Sequence, residues 1–185
     1  MNVVRCDAVE PQPWRNGGGL TRELLAWPSR DHWALRISVA DIRADGPFSA
    51  FPGVDRWFAV LEGNGVKLQL PGGSQRVEID SAPLHFRGEH APDCTLIDGP
   101  TRDLNFMVRR GNGMMQRAVP GMDFCSPAAA RALFCADPVT LRVGGHQTHE
   151  LPPFTLLWSA SDAEERWRLL EAAESQRAWW LSFVP

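Results

Sequence analysis

An arginine on an alternating strand is the first place where this chain shows chemistry. In WALRISVA, Trp33 to Ala40, the apolar Trp33, Leu35, Ile37 and Val39 face one way, and Ala34, Arg36, Ser38 and Ala40 face the other. Small neighbours around Arg36 leave room for a guest. A guanidinium can grip a carboxylate through two parallel N–H···O bonds. The competing reading is an arginine on a solvated sheet face, and the strand by itself leaves both open. A long loop follows, DGPFSAFPGVDRW from Asp45 to Trp57. Ordered loops of this length are often functional. Phe48 and Phe51 could close an apolar lid, while Ser49 and Asp55 offer polar contacts. Alternatively the loop is a plain hydrophobic plug, and Asp55 with Arg56 a surface pair worth little.

Upstream lies PWRNGGGLTRELLAWP, with three glycines, Gly17 to Gly19, between Asn16 and Leu20. A phosphate-binding loop would place Lys and Ser or Thr after the glycines and open a helix. No Lys follows here and the next segment reads as a strand, which also removes the dinucleotide fingerprint. Two readings remain. The glycines form a turn that needs positive φ, or they bring the backbone close to a ligand, with Asn16 and Thr21 adding side-chain hydrogen bonds. Catalytic and metal signatures are absent. The five histidines, His32, His85, His90, His146 and His149, form neither HxH nor HExxH. His146 and His149 are spaced HxxH, but before a Pro-rich turn. There is no Gly-x-Ser-x-Gly elbow, and no cysteine that the sequence pairs with a histidine. No catalytic residue, metal ligand or cofactor is therefore assigned.

The elements that must hold these residues are short strands, punctuated by 16 Gly and 15 Pro. Expected strands are 20–27, 33–40, 56–61, 66–70, 75–79, 95–97, 104–109, 115–119, 140–143, 154–159, 167–170 and 178–184. Asn64-Gly65 reads as a hairpin turn. Ser126 to Leu133 fits one short helix, with Ser at the cap and Pro in the first turn, and Ala163 to Ser175 fits helix or strand equally. The pattern predicts an all-β sandwich or barrel with few short helices.

Composition narrows the partners. The 185 residues carry 19 basic and 22 acidic side chains, a formal charge of −3, with no basic stripe for nucleic acid or anionic membrane. The amino terminus lacks the apolar run of a secretory signal, and the apolar run Ala178 to Leu181 is too short to cross a bilayer. Four cysteines without a CxxC pair read as reduced, mostly buried thiols, so a cytoplasmic protein is expected. Trp158, Trp167, Trp179 and Trp180 read first as core, and otherwise as a surface packing against a second subunit in a homodimer.

Taken in order, WxNGGGxTxE, RIS-A, DGPFSxFPGVDR and the DxN-M-RR stretch of GPTRDLNFMVRRG resemble the HutD/Ves family of bacterial proteins. The resemblance covers most of residues 1–110 and weakens from about Gly121. It implies a cupin, RmlC-like β-sandwich with two cupin-like lobes: 1–110, carrying the signature and the pocket, and 111–185, a second and weaker lobe sharing the sheet system. Cupin enzymes usually hold a metal with HxH…E…H, and GVDRWFAVLEG lacks those histidines. The resemblance further implies that Asn16, Gly17, Gly18, Gly19, Thr21, Arg36, Ser38, Phe48, Ser49, Phe51, Asp55 and Arg56 converge on one pocket, supported by Asp103 and Asn105. There Arg36 would anchor a small carboxylate metabolite, such as formylglutamate or urocanate, in a non-enzymatic protein that modulates histidine utilisation. The alternative is a metal-free acid/base isomerase or hydrolase acting on a small organic acid or sugar, with Asp55 or His85 as base.

Overall fold

The computed structural model describes residues 1–109, 111–125, 128–160, 165–170 and 176–184. The chain forms two compact units, one spanning Val9–Arg110 and the other Gly111–Pro185 together with Met1–Ala8. β1 (Asn2–Arg5) opens the chain. The unit Val9–Arg110 holds β2 (Gln12–Pro13), β3 (Gly19–Trp27), β4 (Leu35–Ile42), β5 (Gly46–Pro47), β6 (Val54–Glu62), β7 (Val66–Leu70), β8 (Gly73–Val77), β9 (Leu84–Arg87), β10 (Asp93–Leu96) and β11 (Thr101–Arg109). The remaining strands are β12 (Asn112–Arg117), β13 (Asp123–Phe124), β14 (Ala130–Cys135), β15 (Val139–Val143), β16 (Gln147–Leu151), β17 (Thr155–Ser159), β18 (Trp167–Leu169) and β19 (Ala178–Val184). Two 3-10 turns, Cys6–Ala8 and Gly88–His90, complete the described elements.

In the unit Val9–Arg110, a six-stranded sheet of order β2-β3-β4-β11-β6-β9 packs on a four-stranded sheet of order β5-β10-β7-β8. Every pairing is antiparallel. Ala40, Ile42, Phe58, Val60 and Phe86 from the first sheet meet Val66, Leu68, Val77 and Cys94 from the second. This is the two-layer solution for sheets that are apolar on one face. Asn64-Gly65 does not make the expected hairpin. β6 pairs with β11 and β9, and β7 with β10 and β8, so the turn carries the chain from one sheet to the other. The two-residue hairpin lies one strand later, at Pro71-Gly72 between β7 and β8.

The second unit repeats the scheme. A five-stranded sheet, β1-β17-β14-β19-β12, packs on a four-stranded sheet, β13-β18-β15-β16. β1 therefore belongs here, in antiparallel register with β17. Each of the four sheets is built within a single unit. The helix expected at Ser126 to Leu133 is not formed: Ala130–Cys135 is the central strand β14, buried at every position between β17 and β19. A strand buried on both faces has no alternation to display, and its alanines and leucines read as helix formers when taken singly. Ser126 and Pro127 lie outside the described residues. Of the segment 163–175, Trp167–Leu169 is strand, and 163–164 and 171–175 lie outside the described residues. Trp167, Trp179 and Trp180 are buried and Trp158 is half-buried, so these indoles serve mainly as core. No described helix is long and apolar enough to cross a membrane.

One glycine shows how tightly the sandwich is closed beside the loop before β3. A Cβ on Gly19 would lie 2.5 Å from the Asp41 carbonyl oxygen and 3.3 Å from the Trp14 ring. Backbone cannot yield that distance without moving β3 from β4. Gly19→Ala is therefore expected to cost roughly 1–3 kcal/mol, the range for overpacking, read as a lowered midpoint in denaturant unfolding. An unchanged midpoint would show that β3 and β4 part at the Asp41 carbonyl without cost.

Candidate functional site

The register of the six-stranded sheet brings polar side chains together on its inner face. Thr21, Ala40, Asp103 and Val60 form one cross-strand row, Glu23, Ser38, Asn105 and Phe58 the next, and Arg36, Met107, Arg56 and Phe86 a third. Beside these rows lies a cavity of about 600 Å³, a size typical of small-molecule sites. The glycine-rich stretch contributes Asn16 and Thr21 to its wall, β4 contributes Arg36 and Ser38, the long loop Phe48, Ser49 and Phe51, and β6 Arg56. Gly17, Gly18 and Asp55 are not among its lining residues. Asp55 alternates to the other face of β6, where its Oδ1 lies 3.2 Å from His85 Nε2, and both side chains are substantially exposed.

Arg56 is the decisive group. The residue is only 4% exposed. Its Nη2 donates to Asn105 Oδ1 at 2.9 Å and its Nη1 makes a long contact of 3.4 Å to the Ser49 carbonyl oxygen, while its buried Nε has no partner. The guanidinium carbon lies 5.1, 5.6 and 5.1 Å from the ring centroids of Phe48, Phe51 and Phe86. Three aromatic faces stabilise a cation, but among the described residues no carboxylate pairs with Arg56. Burial, and then the like charge of Arg36, push its pKa down to about 10. It is still protonated at neutral pH, so a full positive charge is held in a nearly dry wall without a counterion.

Arg36, the anchor expected from sequence, also lines the cavity, but it is already engaged. Its Nε donates to Glu23 Oε2 at 2.6 Å, and Glu23 also lies 3.2 Å from Arg30 Nε. The unneutralised charge therefore belongs to Arg56. In the sequence, Arg56 follows Asp55 and looks paired with it. Strand alternation sends the two side chains to opposite faces.

Around the mouth, Asn16 Oδ1 accepts from the Gly18 N–H at 3.1 Å, and Gly17, at φ 71°, completes the turn. Trp14 Nε1 donates to Thr21 Oγ1 at 2.7 Å, which holds the indole against the wall, edge-on to Phe48. The glycine stretch is thus a turn that also positions pocket residues. Trp14, Arg15, Met107 and Asn105 also line the cavity. Asn105 was expected only as a support, and Trp14 gave no signal beyond its place before the glycines.

Among the described residues the lining contains no His, Cys, Asp or Glu. Among the described residues no three such side chains cluster so as to hold a metal ion. A site that holds a buried guanidinium with no carboxylate partner among the described residues is electrostatically suited to an anion and repels a cation. The residues present do not fit the metal that cupin enzymes carry.

The HutD family model matches residues 7–179. The chain belongs to the HutD family. That family is associated with histidine utilisation. Among HutD/Ves relatives, an uncharacterized 21.2 kDa protein in the hutC 3′ region of Pseudomonas putida is 34% identical over 109 residues, 58% of this chain and 57% of the relative. Protein Ves of Citrobacter koseri is 42% identical over 101 residues, 52% of each chain. The chain spans about half the length of these curated relatives. The solved HutD from Pseudomonas fluorescens SBW25, in a formate condition, superposes with a TM-score of 0.84 at 26% identity, over 99% of this chain and 97% of that one. A cupin 2 conserved barrel domain protein from Leptotrichia buccalis shares the fold at a TM-score of 0.60 and 9% identity, covering 99% of this chain and 96% of that one. The chain is thus a cupin-type β-sandwich.

Proposed function

We propose that this HutD-family protein is a non-enzymatic binder of a small organic acid, of the formylglutamate or urocanate kind, that modulates histidine utilisation in the cytoplasm. One observation carries the reading: Arg56 is buried at the wall of a cavity of about 600 Å³ with no carboxylate beside it. A ligand carboxylate supplies the missing counterion and accepts from N–H groups at the Asn105 end of the guanidinium. Trp14, Phe48 and Phe51 exclude water from that ion pair, and Arg36, half neutralised by Glu23, adds field rather than the main contact. The relative solved in a formate condition makes formate, the smallest carboxylate, a natural first probe. The lining offers no acid or base to move a proton, which favours binding over turnover.

Titration calorimetry at pH 7 with formate, formylglutamate and urocanate is expected to show saturable one-site binding of at least one of them. Silence across all three, with no shift in thermal unfolding, would remove the reading. Conversion of a bound acid to a new product, followed by NMR, would remove its non-enzymatic part. Arg36→Ala is expected to weaken binding by about tenfold, the loss of a partly compensated charge. A loss as large as that from replacing Arg56 would return the anchor to Arg36.

A further inference from the structure

Hydrogen-bond accounting around the cavity says more about the guest than its charge. Three of the polar side chains on the wall could in principle accept or donate, but each already accepts at its oxygen from a group that can only donate. Asn16 Oδ1 takes the Gly18 backbone N–H at 3.1 Å, Asn105 Oδ1 takes Arg56 Nη2 at 2.9 Å, and Thr21 Oγ1 takes the Trp14 indole N–H at 2.7 Å. A backbone N–H, a guanidinium and an indole have no acceptor face, so the orientation of both amides is chemically forced. Their free hydrogens are the NH₂ group of Asn16, the NH₂ group of Asn105 and the hydroxyl hydrogen of Thr21, against one remaining lone pair on each oxygen. Neither Nδ2 has a partner among the described residues. Arg15, Arg36 and Arg56 add only donors.

Groups able to accept are few. The Ser38 and Ser49 hydroxyls can turn either way, Gln12 sits exposed at the mouth, and no carboxylate lines the cavity. The Glu23 carboxylate is held by Arg36 and Arg30.

Resting on the small-acid reading, we infer that this cavity is a donor-lined site that selects acids rich in acceptors and lacking an ammonium group. The fixed donors of Asn16, Thr21 and Asn105 set that preference. The class is a carboxylic acid whose nitrogen, if it has one, is acylated or part of a neutral ring. The acid group meets Arg56, and a second acceptor, such as an acyl oxygen, meets the fixed donors. A free amino acid of the same carbon skeleton is rejected. Its ammonium brings three more donors, finds no carboxylate among the described lining residues, and faces three guanidiniums. Such discrimination comes mainly from the penalty on the wrong ligand.

The test uses matched pairs on the whole protein, formylglutamate against glutamate and urocanate against histidine, by calorimetry at pH 7. In each pair the first compound lacks the ammonium of the second. The expected ratio of affinities is at least about a hundredfold in favour of the amine-free member of a pair that binds. Ratios below about threefold in both pairs would overturn the donor-lined selectivity while leaving the small-acid reading standing. Failure of all four compounds and of formate to bind would overturn that reading and this inference with it. Asn16→Asp provides the second arm. It keeps one oxygen for the Gly18 N–H and replaces the free NH₂ with an acceptor, and at the exposed mouth it leaves the buried Arg56–Asn105 contact untouched. The folded variant should narrow the ratio at least tenfold; an unchanged ratio would overturn the role given to these amides.

Discussion

Arg56→Met is expected to abolish acid binding and yet leave the folded protein as stable as before, or more so. The two effects have one cause. Arg56 is 4% exposed, has no carboxylate partner among the described residues, and has its pKa depressed to about 10, first by burial. A shift of that size corresponds to a penalty on the order of 3 kcal/mol for keeping the charge. The sign follows from the two states. Below about pH 10 the side chain is charged both folded and unfolded, so the whole penalty is present at neutral pH. It is relieved only as pH rises through 10 towards the unfolded value. Methionine fills the space between Phe48, Phe51 and Phe86 with a flexible apolar chain and a sulfur that suits aromatic edges. Asn105 Oδ1 loses its donor, but Asn105 borders the cavity, where water can replace it. Binding goes the other way, because the ligand carboxylate enters the wall unpaired. Losing one partner of a buried charge pair costs about 2–5 kcal/mol, roughly 30- to 5000-fold in affinity. Calorimetry with whichever acid the wild type binds, alongside thermal unfolding, checks both halves. Retained binding would show that Arg56 is not the anchor. A melting point lowered by many degrees would show that the three rings hold the cation for structure and not for a guest.

That trade-off could not have been read from the sequence, and the reason is geometrical. The strand 33–40 displayed Arg36 because alternation with small residues is local information, and the register keeps Arg36 and Ser38 in the rows of Arg56 and Asn105. The cavity's other strand, β6, carries the same period, with Val54, Arg56 and Phe58 buried on one face, yet Asp55-Arg56 looks like a surface pair until the faces are separated. Glu23, which engages Arg36, is 13 residues away and meets it only through the antiparallel register of β3 with β4, shifted between Glu23 and Leu25. The absence of an acid beside Arg56 depends on what four other strands bring, which no local pattern reports. The same limit explains β14. Ala130–Cys135 is central and wholly buried, so its burial has no period, and intrinsic propensity was left to decide wrongly. The Asn64-Gly65 turn was correct as a turn and wrong as a hairpin. A turn residue fixes local backbone, whereas the choice of partner strand belongs to the packing of two sheets.

The second large effect concerns a buried acid in the row next to Asn105. Asp103 is fully buried; its Oδ2 accepts from Thr101 Oγ1 at 2.7 Å and its Oδ1 has no partner. Burial, and then the like charge of Asp41, push its pKa well above 3.8, with the Thr101 bond opposing only in part. Cys94, the other titratable group that senses it, is itself pushed up to about 12 and stays neutral. Asp41 is held as a carboxylate by Arg22 and Arg102, its pKa lowered by those partners against desolvation. The folded state therefore keeps the Asp103 proton over a range in which the unfolded chain releases it. Stability from this group is complete below the unfolded pKa and is lost as pH rises from there through the raised folded pKa. Asparagine has nearly the same shape, can accept from Thr101, and has no proton to lose. Asp103→Asn should thus unfold at a similar denaturant concentration to wild type near pH 4. By pH 8 it should be more stable by about 1–3 kcal/mol, the range for a buried polar group left uncompensated. Parallel stability-versus-pH curves for the two proteins, measured by guanidinium unfolding, would mean that Asp103 ionises without consequence and that water reaches Oδ1 inside the sandwich.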